Sequence, residues 1–270
     1  MKRSVMAGAA CLVMACAAQA SALAQDIPPD ASTPMDQPRD WSATLIQDAT
    51  GLHDIMMDSH PGVHDPLNPG FRARLDRGLA ATLERAKTTT DRGGWWWAMR
   101  AYVASFEDGH VQISMTQRDF GFPTRWPGFL TAYRGADQVV ADRDEADVDA
   151  PPLGARLIDC DGVGAAALAE QRIGQFRGRW FLEAIRTRFG DWMFLSAENP
   201  WQAEMKTCRF EAGGAVRTYA LDWRPTPADL GERRTRLMQS VRPDFALKHF
   251  DDGGFWISTP TFNGDPASEA

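Results

Sequence analysis

The chain predicts an α+β fold, with a helical N-terminal unit followed by a β-rich module. Two observations carry that prediction. Up to Phe106 apolar residues recur at helical spacing; from Val111 onward they alternate as strand residues do, with glycine-containing turns between the alternating runs. The change of period falls on residues 105–113, Ser-Phe-Glu-Asp-Gly-His-Val-Gln-Ile, and the rest of the chain is arranged around it. With 44% hydrophobic and 24% charged residues, the 270 residues suffice for one or two real cores.

At the N-terminus Lys2 and Arg3 precede an apolar and small-residue run over residues 5–18, and Ala22-Leu23-Ala24 reads as a small-x-small cleavage site. Residues 1–24 are therefore expected to be a signal peptide, leaving Gln25 at the start of an exported, soluble chain. The run is too short for a stable span, so no stable membrane insertion is expected. Val13-Met14-Ala15-Cys16 faintly resembles a lipoprotein cleavage box, but methionine is unusual at the second of those positions. Residues 25–39, rich in Pro, Asp and Ser, read as a flexible leader.

The elements follow in order. Trp41, Leu45, Leu52, Ile55 and Met56 share one helical face, and Pro61 stops that helix. Residues 60–70 read as a surface loop that ends with Asn68 as a helix cap and Pro69 at the first helical position. Phe71, Leu75, Leu79 and Leu83 step by four and give a second helix; Asp91 caps a third with the stripe Trp96, Met99, Tyr102, Val103 and Phe106. Of the consecutive Trp95, Trp96 and Trp97, only one can face a given wall, which points to packing rather than a sugar-stacking platform. These helices make a unit over residues 40–109, and the last of them delivers His110. Beyond it, residues 111–115 read as a short strand, 129–133 and 138–141 as a hairpin, and 142–149 as a solvated acidic loop without calcium-ligand spacing. An apolar strand runs into Asp161-Gly162; helices follow at 165–171 and around Trp180, Phe181, Ala184 and Ile185. A hairpin at 205–210 and 215–221, a charged helix at 227–240 and a hairpin at 245–250 and 255–259 complete the reading.

The chemistry centres on His110. An imidazole titrates near neutrality, which suits a general base, and Gly109 leaves it room; a histidine held in a turn is the plain alternative. His60, His64 and Asp65 form an H-x-x-x-H-D string, but Pro61 and Gly62 break the helix that would bring both histidines to one zinc ion. No metal and no cofactor is expected. His53 and His249 have no partners in sequence. Cys160 and Cys208 survive signal removal, 48 positions apart, as a disulfide or as two buried thiols. A net charge of −7 excludes a phosphate-neutralising surface, so no nucleic-acid partner is expected.

Five segments stand in a recognisable order: His-Pro-Gly at 60–62, Asn-Pro-Gly-Phe at 68–71, Phe-Glu-Asp-Gly-His-Val at 106–111, Gly-Ala-Arg-Leu-Ile-Asp-Cys-Asp-Gly at 154–162, and Gly-Phe-Trp-Ile-Ser-Thr-Pro-Thr-Phe-Asn at 254–263. Together they resemble the N-terminal half of the C-terminal-processing (tail-specific) serine peptidases, including their tricorn-like relatives. The resemblance spans roughly residues 41–263. It implies a PDZ-like module with helical and hairpin insertions over 110–240, and the first strands of a truncated α/β catalytic domain over 241–270. It implies His110 as the general base, a peptide-binding edge at Phe129, Leu130, Thr131, Gly154 and Leu157, and a peptide or unfolded protein as the partner.

The departures matter as much. Gly109 stands where tricorn-like members have serine, and Ala155 where aspartate is frequent. The Gly-Gly-x-Ser turn that carries the nucleophile has no counterpart: Gly213-Gly214 is followed by Ala215-Val216 and Gly253-Gly254 by Phe255-Trp256, and no G-x-S-x-G elbow occurs. A base without a nucleophile does no acyl transfer. Two expectations follow. One is an exported serine-type peptidase whose serine lies in a C-terminal part missing from this chain, by serine–histidine or serine–lysine chemistry. The other is a non-catalytic, PDZ-like peptide-binding module. In either case residues 254–262, a strand without its sheet, are expected to be poorly anchored.

Overall fold

Asp40 starts the first helix by accepting the Ala43 N–H on its side chain at 2.9 Å. Helices α1 (Trp41–Ser59), α2 (Phe71–Ala86) and α3 (Arg92–Ala104) then pack against one another. The computed structural model describes residues 37–114, 121–239 and 246–258. Residues Met1–Arg39 and Asp40–Ala270 form two separate units.

α1 buries Leu45, Ala49 and Met56, whereas Ile55 is 64% exposed, so the buried stripe is narrower than the apolar one. α2 starts later than expected. The Asn68 side chain accepts from Arg74 at 2.8 Å, and its carbonyl accepts the Phe71 N–H at 3.0 Å. A hydrogen-bonded turn therefore replaces the Asn68–Pro69 cap. The buried face of α2 is Phe71, Leu75, Gly78, Thr82 and Ala86, rotated from the Leu79–Leu83 line. Gly78 sets that rotation: a Cβ there would lie 2.5 Å from the Ser105 hydroxyl and 2.7 Å from the Tyr102 ring. α3 is capped by Asp91, which accepts the Gly94 N–H at 2.8 Å. The Trp95 indole donates to Asp48 of α1 and the Trp97 indole to the Ala197 carbonyl, each at 2.8 Å. Neighbouring tryptophans thus tie α3 to two different walls.

The second layer is an antiparallel sheet. Strands β2 (Phe129–Arg134), β3 (Asp137–Arg143), β4 (Arg156–Cys160), β6 (Thr207–Ala212) and β7 (Ala215–Ala220) lie side by side in that order, with the short β5 (Val163–Gly164) also on β4. Phe129, Leu157, Phe194 and Phe210 fill its core. The glycine-marked hairpins fall where the sequence put them. Residues 111–114 do not: they form no strand, and the small strand β1 (Arg125–Trp126) pairs instead with β8 (Arg224–Pro225). Helix α4 (Ala165–Ala169) widens into a π turn and then α5 (Gln175–Arg177). α6 (Glu183–Phe189) begins after Trp180 and Phe181 rather than around them. α7 (Leu230–Gln239) occupies the expected charged stretch.

The acidic loop is not simply solvated. Arg224 pairs with Asp147 at 2.8 Å and Asp144 at 3.3 Å, and Arg233 with Asp142 at 3.1 Å, which fastens the loop to the chain leading into α7 and to α7 itself. Strands β9 (Ala246–His249) and β10 (Phe255–Ser258) pair only with each other among the described residues. Among those residues no helix is long and apolar enough to cross a membrane.

Candidate active site

α3 ends at Ala104, and the chain turns sharply through Glu107, a non-glycine residue at φ 57°. Asp108 closes the turn. Its Oδ1 accepts the His110 backbone N–H at 2.8 Å and contacts the His110 Nδ1 at 3.1 Å. An ionised carboxylate only accepts, so Nδ1 carries the ring proton and the Nε2 lone pair is left free. The His110 side chain is 100% exposed, so that lone pair faces outward. On its other oxygen Asp108 faces His60 Nε2 at 3.4 Å. His60 Nδ1 accepts the Gly62 N–H at 3.0 Å, which places the His60 proton on Nε2, toward Asp108. The His60 ring is stacked on Phe71, 4.5 Å between centroids and 9° from parallel. Two of the five sequence segments therefore meet at one carboxylate, and a third backs the His60 ring through Phe71. The hydrogen bond from the His110 N–H is the main reason the Asp108 carboxyl is held below the usual carboxylate range; partial burial opposes it, and the two imidazoles add to the lowering.

The Arg179 guanidinium lies over Gly109: a Cβ there would come within 2.7 Å of its central carbon and would displace this flexible side-chain end. Arg179 itself sits at φ 46°, after Gly178 at φ 65°, and a Cβ on Gly178 would lie 2.5 Å from the Ala104 carbonyl oxygen. The α5–α6 connection is thus pressed onto the end of α3 beside the histidine. A cleft of about 890 Å³ opens alongside, lined by Tyr102, Glu107, Tyr133, Arg179, Trp180 and Phe181 among others.

Among the described residues His110 bonds to no hydroxyl or thiol; its partner is Asp108. The Ser105 hydroxyl donates to the Tyr102 carbonyl at 2.6 Å. The H-x-x-x-H-D string does not converge. His60 turns to Asp108, Asp65 accepts the Leu67 N–H at 2.8 Å, and among the described residues no three His, Cys, Asp or Glu side chains are placed to hold a metal ion. His53 is not partnerless in space, since its Nε2 meets Asp76 at 3.0 Å. Phe129, Leu130, Thr131 and Leu157 are buried in the core; an added strand could meet only the backbone of the first three, on the outer strand β2, because Leu157 lies on the inner strand β4 and pairs with Phe210. At that edge a Cβ on Gly190 would lie 2.9 Å from the Tyr133 backbone nitrogen, so the Gly190 turn is already close. Gly154, at φ 79°, donates to the Val140 carbonyl at 2.8 Å and shapes the β3–β4 turn. β7, at the other end of the sheet, is largely exposed. Cys160 and Cys208 lie opposite each other on β4 and β6 and are joined by a disulfide.

The sequence did not reveal Asp108 as the partner of His110, nor His60 as the second imidazole on Asp108. Aspartate two residues before a histidine is the local signal, because an Asx turn brings that carboxylate to the histidine N–H. The His60 contact is long-range and had no such signal.

No family model and no curated protein matches the sequence. Among solved structures the chain is similar to mature CPAF, a chlamydial serine protease, with a TM-score of 0.50 and 13% identity, over 80% of this chain and 46% of that one. Mature CPAF complexed with lactacystin gives a TM-score of 0.51 at 14% identity, over 76% of this chain and 39% of that one. A serine-to-alanine mutant of CPAF gives 0.50 at 12%, over 80% and 48%. The chain spans less than half the length of each. The fold is a CPAF-like mixture of helices and sheet.

Proposed function

We propose that this chain is the front part of an exported serine-type peptidase of the tail-specific or tricorn-like kind. In this reading His110 is the general base, and the serine comes from sequence beyond these 270 residues. The observation that carries it is the His110–Asp108 pair: a base with its Nε2 free, fixed in one tautomer by a carboxylate. In the complete enzyme Nε2 would take the serine proton as the hydroxyl attacks a peptide carbonyl. It would then return that proton to the leaving amine, while Asp108 holds the ring in place. The neighbouring cleft is large enough for several residues of an extended peptide. The CPAF-like fold supports the reading. Export is supported by the signal-like N-terminus and by the disulfide, which persists in an oxidising compartment.

The test is to label the natural full-length polypeptide with a fluorophosphonate and map the modified residue. The reading expects one labelled serine, with labelling lost in His110→Ala; no labelled serine would sink it. The exposed outer strand β7 favours a second reading, a module that binds extended peptides by strand addition without cleaving them. Saturable peptide binding without any labelling would select it.

A further inference from the structure

Beside Gly109 lies a small cavity of about 120 Å³, separate from the larger cleft but sharing Arg179 and Glu107 with it. Four arginines line it: Arg100, Arg177, Arg179 and Arg188. Among the described residues none of the four forms an ion pair. Three of the four lie against aromatic rings. The Arg177 guanidinium sits between Phe189 at 4.6 Å and Trp192 at 4.5 Å, Arg188 lies 5.2 Å from the same Phe189 ring, and Arg100 lies 5.9 Å from Trp96. The Arg100 Nε is buried without a hydrogen-bond partner. The two carboxylates on the rim are turned elsewhere, Asp108 to its histidines and Glu107 toward Arg74 at 3.9 Å.

Four cations in so small a space repel one another. Burial first, then the charges of Arg100 and Arg234, push the Arg177 guanidinium down to about 9, while Asp191 offsets only part of this. Arg100, Arg177 and Arg179 are half-buried and Arg188 is exposed at the rim; a half-buried guanidinium without an ion pair carries a desolvation cost that a joining anion relieves. A guanidinium fork matches a planar carboxylate with two parallel N–H donors, and flat aromatic walls suit a planar group.

We propose that this cavity binds a carboxylate, and that it does so one residue from His110, where a peptide acid would sit. The carboxylate chemistry stands on the geometry alone; the peptide as its carrier rests on the peptidase reading. The source is either an acidic side chain or a peptide C-terminus, and both present the same group.

Binding to the full-length protein would be followed by calorimetry with glutarate, with inorganic phosphate, and with three peptides. These are acetyl-Ala-Glu-Ala-amide, acetyl-Ala-Ala-Ala with a free C-terminus, and acetyl-Ala-Gln-Ala-amide. Saturable glutarate binding is expected, weakened at least tenfold in Arg179→Gln and in Arg188→Gln and retained in His110→Ala. At least one acid-bearing peptide should bind at least tenfold tighter than the glutamine peptide, and which one does names the source. Unchanged melting temperatures in the two arginine variants would show that the fold survives. Absent glutarate binding, equal binding by the variants, or a preference for phosphate would overturn the proposal. Glutarate binding in a protein that hydrolyses no peptide and labels no serine would keep the cavity and remove the peptidase reading.

Discussion

At Asp108 one carboxylate serves the His110 N–H, the His110 ring and the His60 ring. Its lowered pKa makes a stability prediction with a definite sign. A carboxyl held lower in the folded state contributes stability in full above the ordinary range near 4, and loses it as the pH falls through the lower folded value. Asp108→Asn should therefore lower the urea midpoint at pH 7, and the gap to the parent should close in acid. A gap that stays constant with pH would contradict the charge argument. Gly178 gives a second prediction. At φ 65° and ψ 167° it occupies backbone space nearly restricted to glycine, so Gly178→Ala should cost at least about 1–3 kcal/mol in urea unfolding. Of this site the sequence exposes the histidine and the turn. Asp108 read as half of a turn signal because its partner atoms depend on side-chain direction, and Arg179 was invisible because it arrives from 69 positions away by way of a left-handed pair, Gly178-Arg179.

The elements differ in how firmly they are tied. The Cys160–Cys208 bridge joins directly opposed positions on β4 and β6 and closes a span of 48 residues. In the chain-entropy picture, reducing it costs about 4 kcal/mol; urea midpoints with and without reductant would check this, and equal midpoints would contradict it. The β9–β10 hairpin is the opposite case. It pairs with no other strand among the described residues, and Phe255 and Trp256 are each 63% exposed. A chain ending at Gln239 should keep its stability to within about 1 kcal/mol, since a lone two-stranded hairpin is marginal; a larger loss would show that residues 240–270 are packed. The poor anchoring expected over residues 254–262 concerns the same hairpin, and its residues 259–262 lie outside those described. Hairpins were legible because their turns carry glycine pairs or Gly-Ala, a local signal. The strand expected over residues 111–115 does not form over 111–114, and 115 lies outside the described residues; so short an alternating run fixes no partner strand. The start of α2 was misread because Asn68 found Arg74 instead of a backbone N–H.

At the scale of the molecule the helices and the sheet are joined through α3. Trp97 reaches the Ala197 carbonyl and packs edge-on to Phe176 at 5.3 Å and Trp192 at 6.4 Å. Trp97→Ala should cost about 3–5 kcal/mol and lower the transition of both layers together; helix and near-ultraviolet signals melting apart would contradict that coupling. The order of helices then strands was legible, because a change of hydrophobic period is a long-range average that local errors do not spoil. The joint between the layers was not, because Trp95 and Trp97 bond to different walls and only packing decides which tryptophan faces which. What this joint accomplishes is to set the end of α3, and with it Asp108 and His110, against the α5–α6 connection beside the large cleft. The decisive measurement is kcat/KM for peptide hydrolysis by the natural full-length polypeptide with His110 intact and with His110→Ala. Loss of a general base predicts a fall of about 10²–10⁴-fold in kcat with little change in KM. Hydrolysis that proceeds at the parent rate without the imidazole would contradict the assignment of His110 as the base.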